Sequence, residues 1–287
     1  MKETMISFSM IALQLTVLFI GVSFLLNFLQ SYIPYERIEN KLKQSHPILA
    51  SVIALFFAFL TPFCSCSTIP VIINLLKNNV RFGVVMVFLF ASPVLDPTIL
   101  SIMTVIMGWK VTMIYILITS SLSLIIGLLL EKLGCERYVK QVMMSGYEQS
   151  NKAFSFKAAW LETWQLMKTV YPYLLIGAAI GAVIHGLVPA EFISNYFGGD
   201  AWWLIPLAAI VGIPLYIRLS SMIPLSHILI MNGMAIGPVM AMMISSAGAS
   251  LPELVLLKSI FKKQLIIAFV LSVLSMSTIS GFVFYFI

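Results

Sequence analysis

Five stretches of this chain, residues 4–35, 48–76, 111–130, 169–190 and 264–287, contain no Asp, Glu, Lys or Arg. Each reaches the length of about 20 uncharged, mostly apolar residues that a helix needs to cross a bilayer. Between Arg81 and Lys110 only Asp96 intervenes, and between residue 201 and Lys258 only Arg218 and Glu253. Of the 287 residues, 60% are hydrophobic and 10% charged, where soluble domains carry about 25% charge. The chain is therefore expected to be an all-α polytopic membrane protein. A secreted disulfide scaffold, a nucleic-acid binder and a soluble metabolic enzyme are excluded. The net charge of +6 suits loops against anionic lipid headgroups better than a polyanionic partner. Met1-Lys2-Glu3 leads into an apolar run longer than a signal-peptide core, which reads as an uncleaved first helix. Three cysteines, Cys64, Cys66 and Cys135, form no disulfide framework.

The chain also resembles itself. Pro34-Tyr35-Glu36-Arg37-Ile38-Glu39-Asn40 aligns with Pro189-Ala190-Glu191-Phe192-Ile193-Ser194-Asn195 at an offset of 155. Ser67-Thr68-Ile69-Pro70 meets Ser221-Met222-Ile223-Pro224 at 154, followed in order by Gly83 with Gly237 and Ser92 with Ser246 at 154 and Pro97 with Pro252 at 155. Ordered matches at a fixed offset are the mark of internal duplication. The reading is two tandem four-segment repeats, 1–130 and 168–287, giving about eight transmembrane segments. A polar linker, 131–167, is expected to be cytoplasmic, with Phe154, Phe156, Trp160 and Trp164 among lysines suggesting an interfacial helix.

Each unit reads as a plain span, two punctuated segments and a second plain span. Segments 48–76 and 201–232 carry paired prolines, Pro62 and Pro70, then Pro214 and Pro224. The following segments are punctuated at Pro93/Pro97 and around Gly248/Pro252. Proline removes a backbone donor and clashes with the preceding turn, so helices should break there, at mid-membrane. Opened backbone at that depth survives only where protein buries it or water reaches it. Matched breaks in two repeats point to a transporter's binding site. Each 30-residue segment either crosses the membrane or returns as a re-entrant hairpin; crossing is the favoured reading. It puts nine Lys/Arg on one side against seven on the other, a balance that leaves orientation open. Either path gives each unit an even number of spans, so the units should share one orientation, with both termini cytoplasmic.

The sharpest chemical feature is Thr61-Pro62-Phe63-Cys64-Ser65-Cys66-Ser67-Thr68-Ile69-Pro70. In extended backbone, residues two apart share a face, so Cys64 and Cys66, with Ser65 and Ser67 beside them, could converge on one soft, thiophilic target. Packing of two small hydrophobes at a kink is the alternative. At the repeat offset Arg218 falls on Cys64 and Ser220 on Cys66. An intramembrane Arg costs at least about 2.5–3.5 kcal/mol and needs a partner, for which Asp96 is the candidate, as counter-ion or proton carrier. A structural Arg–Asp pair is equally open. Asp96-Pro97 also fits an N-cap followed by Pro at the first helical position, with Ser250-Leu251-Pro252-Glu253 as a looser version. Half-helices starting there would aim positive dipole ends at mid-membrane, favouring anions and thiolates. Asn74, His227, Asn232 and Glu253 are secondary pathway candidates. His185 suits an interfacial role, Cys135 lies too far along its helix to join the pair, and Gly177-Ala178-Ala179-Ile180-Gly181 fits close helix packing. No nucleotide-binding, metalloprotease or dinucleotide motif occurs; no cofactor and no metal site are expected, nor enzymatic activity.

The Cys-Ser-Cys-Ser stretch before Ile69-Pro70, with Ser92-Pro93 and Asp96-Pro97 some thirty residues on, resembles the YraQ/ArsP-type family of predicted bacterial permeases over most of the chain. The resemblance implies a permease fold in the cell (inner) membrane. In that family, members of the ArsP type export trivalent organoarsenicals, with cysteines like Cys64 and Cys66 implicated. A methylated As(III) centre offers two sites to thiols, matching the two here, whereas inorganic arsenite prefers three. Three readings follow: an exporter of a small-molecule or metalloid substrate, organoarsenicals first, alternating access around Cys64/Cys66; a permease for a small anion or sulfur compound held by Arg218 and helix N-termini; and a membrane thiol oxidoreductase, which lacks the usual Cys-x-x-Cys spacing. The bilayer is the expected partner, nucleic acid is not, and a homo-oligomer is compatible with the sequence.

Overall fold

The computed structural model describes residues 46–60, 80–140, 202–215, 219–231 and 234–286, together with Thr68, 71–73 and 75–76. These form α1 (Pro47–Leu60), α2 (Phe82–Ala91), α3 (Pro97–Met107), α4 (Trp109–Lys132), a 3-10 turn (Cys135–Tyr138), α5 (Leu204–Leu215), α6 (Leu219–Met231), α7 (Ile236–Gly248), α8 (Leu251–Ile260) and α9 (Lys263–Tyr285). Segments 4–35 and 169–190, the linker beyond Lys140, Cys64 to Ser67, Asn74, Arg218 and Asn232 lie outside the described residues, as does the side chain of Ser220.

Among the described residues three stretches are long and apolar enough to cross a membrane: α4, α9 and Ile236–Val255. The last is broken at Ala249 and Ser250, and 81% of its most apolar window is buried in protein, against 33% for α4 and for α9. The two unbroken helices thus flank the molecule and the broken segment runs through its centre. Gly108, at φ 89°, supplies the left-handed turn between α3 and α4, and Gly134, at φ 66°, ends the turn after α4.

α2, α3 and α4 start 154 residues before α7, α8 and α9. The burial pattern keeps the same offset. Tyr115, Thr119, Ser123, Ile126, Gly127 and Leu130 face inward on α4, as do Phe269, Val273, Ser277, Ser280, Gly281 and Phe284 on α9. The helix contacts match too. A side chain on Gly127 would strike Val87 and the Gly83 carbonyl, and one on Gly281 would strike Ala241 and the Gly237 carbonyl. Small residues at both crossings let the backbones meet closely, the usual device of membrane helix pairs. Even the loop closures agree, Val80 N–H to Leu75 O and Met234 N–H to Leu229 O, both 3.0 Å.

The two sets nevertheless run in opposite directions. The residues after α4 pair antiparallel with the residues before α9: Lys140 N–H donates to Ile260 O at 2.8 Å and Lys262 N–H to Tyr138 O at 2.9 Å. Ser123 on α4 lies 3.9 Å from Met276 Sδ on α9, in the same antiparallel register. The end of α4 and the start of α9 therefore share one end of the molecule, which the exposed Lys132, Arg137, Lys258, Lys262 and Lys263 make basic. Exposed Trp109, Trp202, Trp203 and Phe286 mark the other, aromatic end.

This corrects the expectation of two units in one orientation, and its cause is visible in α5 and α6. Gly212 on α5 packs against Met242 and Ser245 of α7, and Ile205 against Gly281, so α5 runs inward from the aromatic end alongside α7. α7 begins at that end, where Gly237 meets Tyr285. Met231 and Ile236 are five residues apart, a reach of at most about 17 Å, so α6 must come back to the end where α5 entered. α5 and α6 thus enter from and return to one end, as the arms of a re-entrant hairpin do, where a crossing of segment 201–232 was expected. One returning segment makes the parity of crossings odd and reverses the next unit. Tyr285 and the start of the linker consequently lie at opposite ends, which corrects the expectation of a cytoplasmic linker and C-terminus together. Pro214 lies inside α5 and Pro224 inside α6, so neither of these prolines marks a break within its helix.

Candidate functional site

Both broken crossings open at half height. α2 is ten residues long and α7 thirteen, so each penetrates about 15–20 Å from its own end, while α4 and α9 measure about 35 Å. α3 then continues toward the aromatic end and α8 toward the basic end.

At the first break the chain turns over Ser92 to Val94 before α3 starts at Pro97. Leu95 N–H bonds Ala91 O at 2.9 Å, and Leu100 N–H bonds Asp96 O at 3.0 Å, which puts Asp96 at the N-cap of α3. The fully buried Tyr115 donates its hydroxyl to Val94 O at 3.2 Å, satisfying a carbonyl that the break releases from the helix. Thr68 Oγ1 lies 3.3 Å from Ser92 Oγ, both buried. Thr68, two residues after Cys66 in the sequence, therefore lies at the first break.

At the second break Ala249 N–H bonds Ser245 O at 3.1 Å, and α8 begins with a closed capping box. Ser250 Oγ accepts from Glu253 N–H at 3.4 Å, and Glu253 Oε2 accepts from Ser250 N–H at 3.5 Å. Glu253 is 1% exposed. Its carboxylate sits over the positive end of α8, where a negative charge is favoured. The structure thus gives Glu253 a capping role at mid-height. The helix starts of α3, α6 and α8 all lie toward the middle of the molecule.

Of the expected site residues, Asp96 and Glu253 are at the two breaks; the counterpart of Asp96 at the offset of 154 is Ser250, the capping partner of Glu253. His227 is exposed on α6, whereas its neighbour Ser226 is buried and bonds Met222 O at 2.6 Å. Cys135 is buried in the 3-10 turn at the basic end, remote from either break. Among the described residues no three His, Cys, Asp or Glu side chains gather to hold a metal ion. Sequence reading missed Tyr115 and Thr68. Tyr115 corresponds to Phe269 at the offset of 154, and Phe269 stacks on Phe90 at 5.1 Å beside the same first break. Both serve one site from opposite halves, a relation that comparing the two sequences cannot expose.

The sequence matches, over residues 2–286, the model of a family described as predicted permease. It is similar to a UPF0718 protein, MJ0584, of Methanocaldococcus jannaschii, 21% identical with 77% of each chain covered. It is also similar to the UPF0718 protein YraQ of Escherichia coli, 25% identical over 81% of this chain and 66% of that one. No solved structure matches it.

Proposed function

Since the chain belongs to this predicted-permease family, we propose that it exports a small thiophilic solute, trivalent organoarsenicals being the best-fitting class, by alternating access around Cys64 and Cys66. The observation that supports this reading is the Thr68–Ser92 contact, which puts the residue next in sequence to Cys-Ser-Cys-Ser at a helix break at half the height of the molecule. The Cys64 and Cys66 thiolates would displace the two exchangeable ligands of a methylated As(III) centre, which leave as free thiolate or hydroxide, and would be displaced in turn when incoming thiolate or hydroxide takes their place. Arg218 and Ser220 would face them from the second unit, and Asp96 would carry the counter-charge or proton. Among the described residues each half contributes a crossing broken at mid-height, α2–α3 and α7–α8, and their opposite directions would give the exchange of access a symmetric basis.

The basic end is read as cytoplasmic. Among the described residues it holds Arg81 and every Lys and Arg from 132 to 140 and from 258 to 263, while the aromatic end holds Lys110. The positive-inside rule assigns the first to the cytoplasm of a cell (inner) membrane. A second reading, a small anion or sulfur compound held by Arg218, is favoured by the three helix starts directed toward mid-height. Vesicle transport of trivalent methylarsenic separates the two. On the first reading Cys64→Ser/Cys66→Ser abolishes transport and Arg218→Gln only weakens it. The reverse pattern, with an oxyanion as the transported species, establishes the second.

A further inference from the structure

We propose that the basic ribbon formed by a single antiparallel β-bridge, Val139 with Phe261, and its flanking residues 135–140 and 258–263 is a docking surface for the phosphates of anionic phospholipids. The two segments hold Arg137, Lys140, Lys258, Lys262 and Lys263 against one acid, Glu136. They come from parts of the chain more than a hundred residues apart, so the concentration of charge is made by the fold. Like charges gathered in this way repel, and the arrangement calls for an opposing charge from outside the chain.

The ribbon is also built to present that charge. Backbone bonds Lys140 N–H to Ile260 O and Lys262 N–H to Tyr138 O lock its two sides together. Lys140 Nζ donates to Lys258 O at 2.6 Å and Lys262 Nζ to Arg137 O at 3.4 Å. Each ammonium has three donors, so anchoring one to a carbonyl leaves others for a phosphate oxygen while removing the entropy cost of fixing the side chain. The Arg137 guanidinium is held 4.9 Å over the Tyr138 ring. Phe261, fully buried between Ile260 and Lys262, pins the ribbon to the core.

Height selects the occupant. α4 is 24 residues long, about 36 Å, against a hydrocarbon thickness of about 30 Å. The ribbon directly after it falls in the headgroup layer, where lipid phosphates are the anions at hand.

The test uses the full chain in nanodiscs of mixed phosphatidylglycerol and phosphatidylcholine, with the lipids retained by the protein quantified after detergent extraction. Wild type should retain phosphatidylglycerol in excess of its bulk share. Lys258→Gln/Lys263→Gln, which leaves the ribbon's backbone bonds in place, should lower that excess about fivefold per charge removed. Lys258→Arg/Lys263→Arg should restore it, and Lys110→Gln at the aromatic end should leave it unchanged. The proposal is overturned if the Gln pair elutes as folded protein with undiminished excess, or if Lys110→Gln lowers the excess equally, which would reduce the effect to net charge. Should the Gln pair fail to fold, the wild-type excess is measured against rising salt; an excess insensitive to salt overturns the proposal as well.

Discussion

The two halves of the described structure use one design in opposite directions, and the places where they differ are informative. α2–α4 and α7–α9 share their starting positions, their buried faces and their glycine crossings at one offset. They differ at the ends of the half-helices. α3 starts on Asp96, beside a break clamped by Tyr115 and by Thr68, while α8 starts on a closed Ser250–Glu253 box. Glu131 accepts from Gly83 N–H at 3.1 Å where the other half has Tyr285 against Gly237. Packing between helices has been retained and the mid-height polar groups have diverged. That is the pattern expected where a duplicated scaffold carries one asymmetric substrate path.

The comparison breaks most decisively on direction. A reporter inserted after Lys140 and one fused after the last residue should read opposite faces of the membrane, with the first cytoplasmic. Identical readings would refute antiparallel halves outright. Next in size are the glycine crossings. A Cβ at Gly127 would lie 2.9 Å from Gly83 O, and one at Gly281 would lie 3.0 Å from Gly237 O, so leucine at either position must push two helix backbones apart. Each should lower stability by about 3 kcal/mol, read as early aggregation in a thermal ramp followed by size-exclusion chromatography. A well-behaved Gly281→Leu beside a collapsed Gly127→Leu would show that the halves are not packed alike.

The caps come third. Ser250→Ala should cost about 1–2 kcal/mol, because the box is closed from both sides, and Asp96→Ala about 1 kcal/mol. If Asp96→Ala instead melts like the parent but transports nothing, its place is in the substrate path, which sharpens the asymmetry. The smallest effect is expected at Glu131. Glu131→Gln keeps an acceptor for Gly83 N–H and loses only the charge at the start of α2, about 0.3–1 kcal/mol that added salt should erase.

Much of this was legible in the residues. Charge-free runs located the apolar helices, the offset matches announced matching elements, and Pro93, Pro97 and Pro252 marked where two crossings break. The cap at Asp96 could be read from Asp-Pro alone. Prolines misled in the second unit: Pro214 stands inside α5 and Pro224 inside α6, because a helix flanked by protein tolerates a missing donor that an isolated one does not. Tyr115 and Thr68 carried no local signal, since their roles consist of contacts 21 and 24 residues away in the chain.

By itself the sequence determined that this chain lives in a membrane, folds as helices and repeats its plan, because hydropathy and spacing are local properties. The tertiary structure alone decided which way each half points. A run of about thirty apolar residues has the same composition whether it crosses or turns back, and that single choice reverses everything downstream of it. Among the described helices it shows in the packing of α5 on α7 and α9 and in the long-range bonds between 138–140 and 260–262. They turn a nearly even scatter of lysines and arginines into one basic end and one aromatic end.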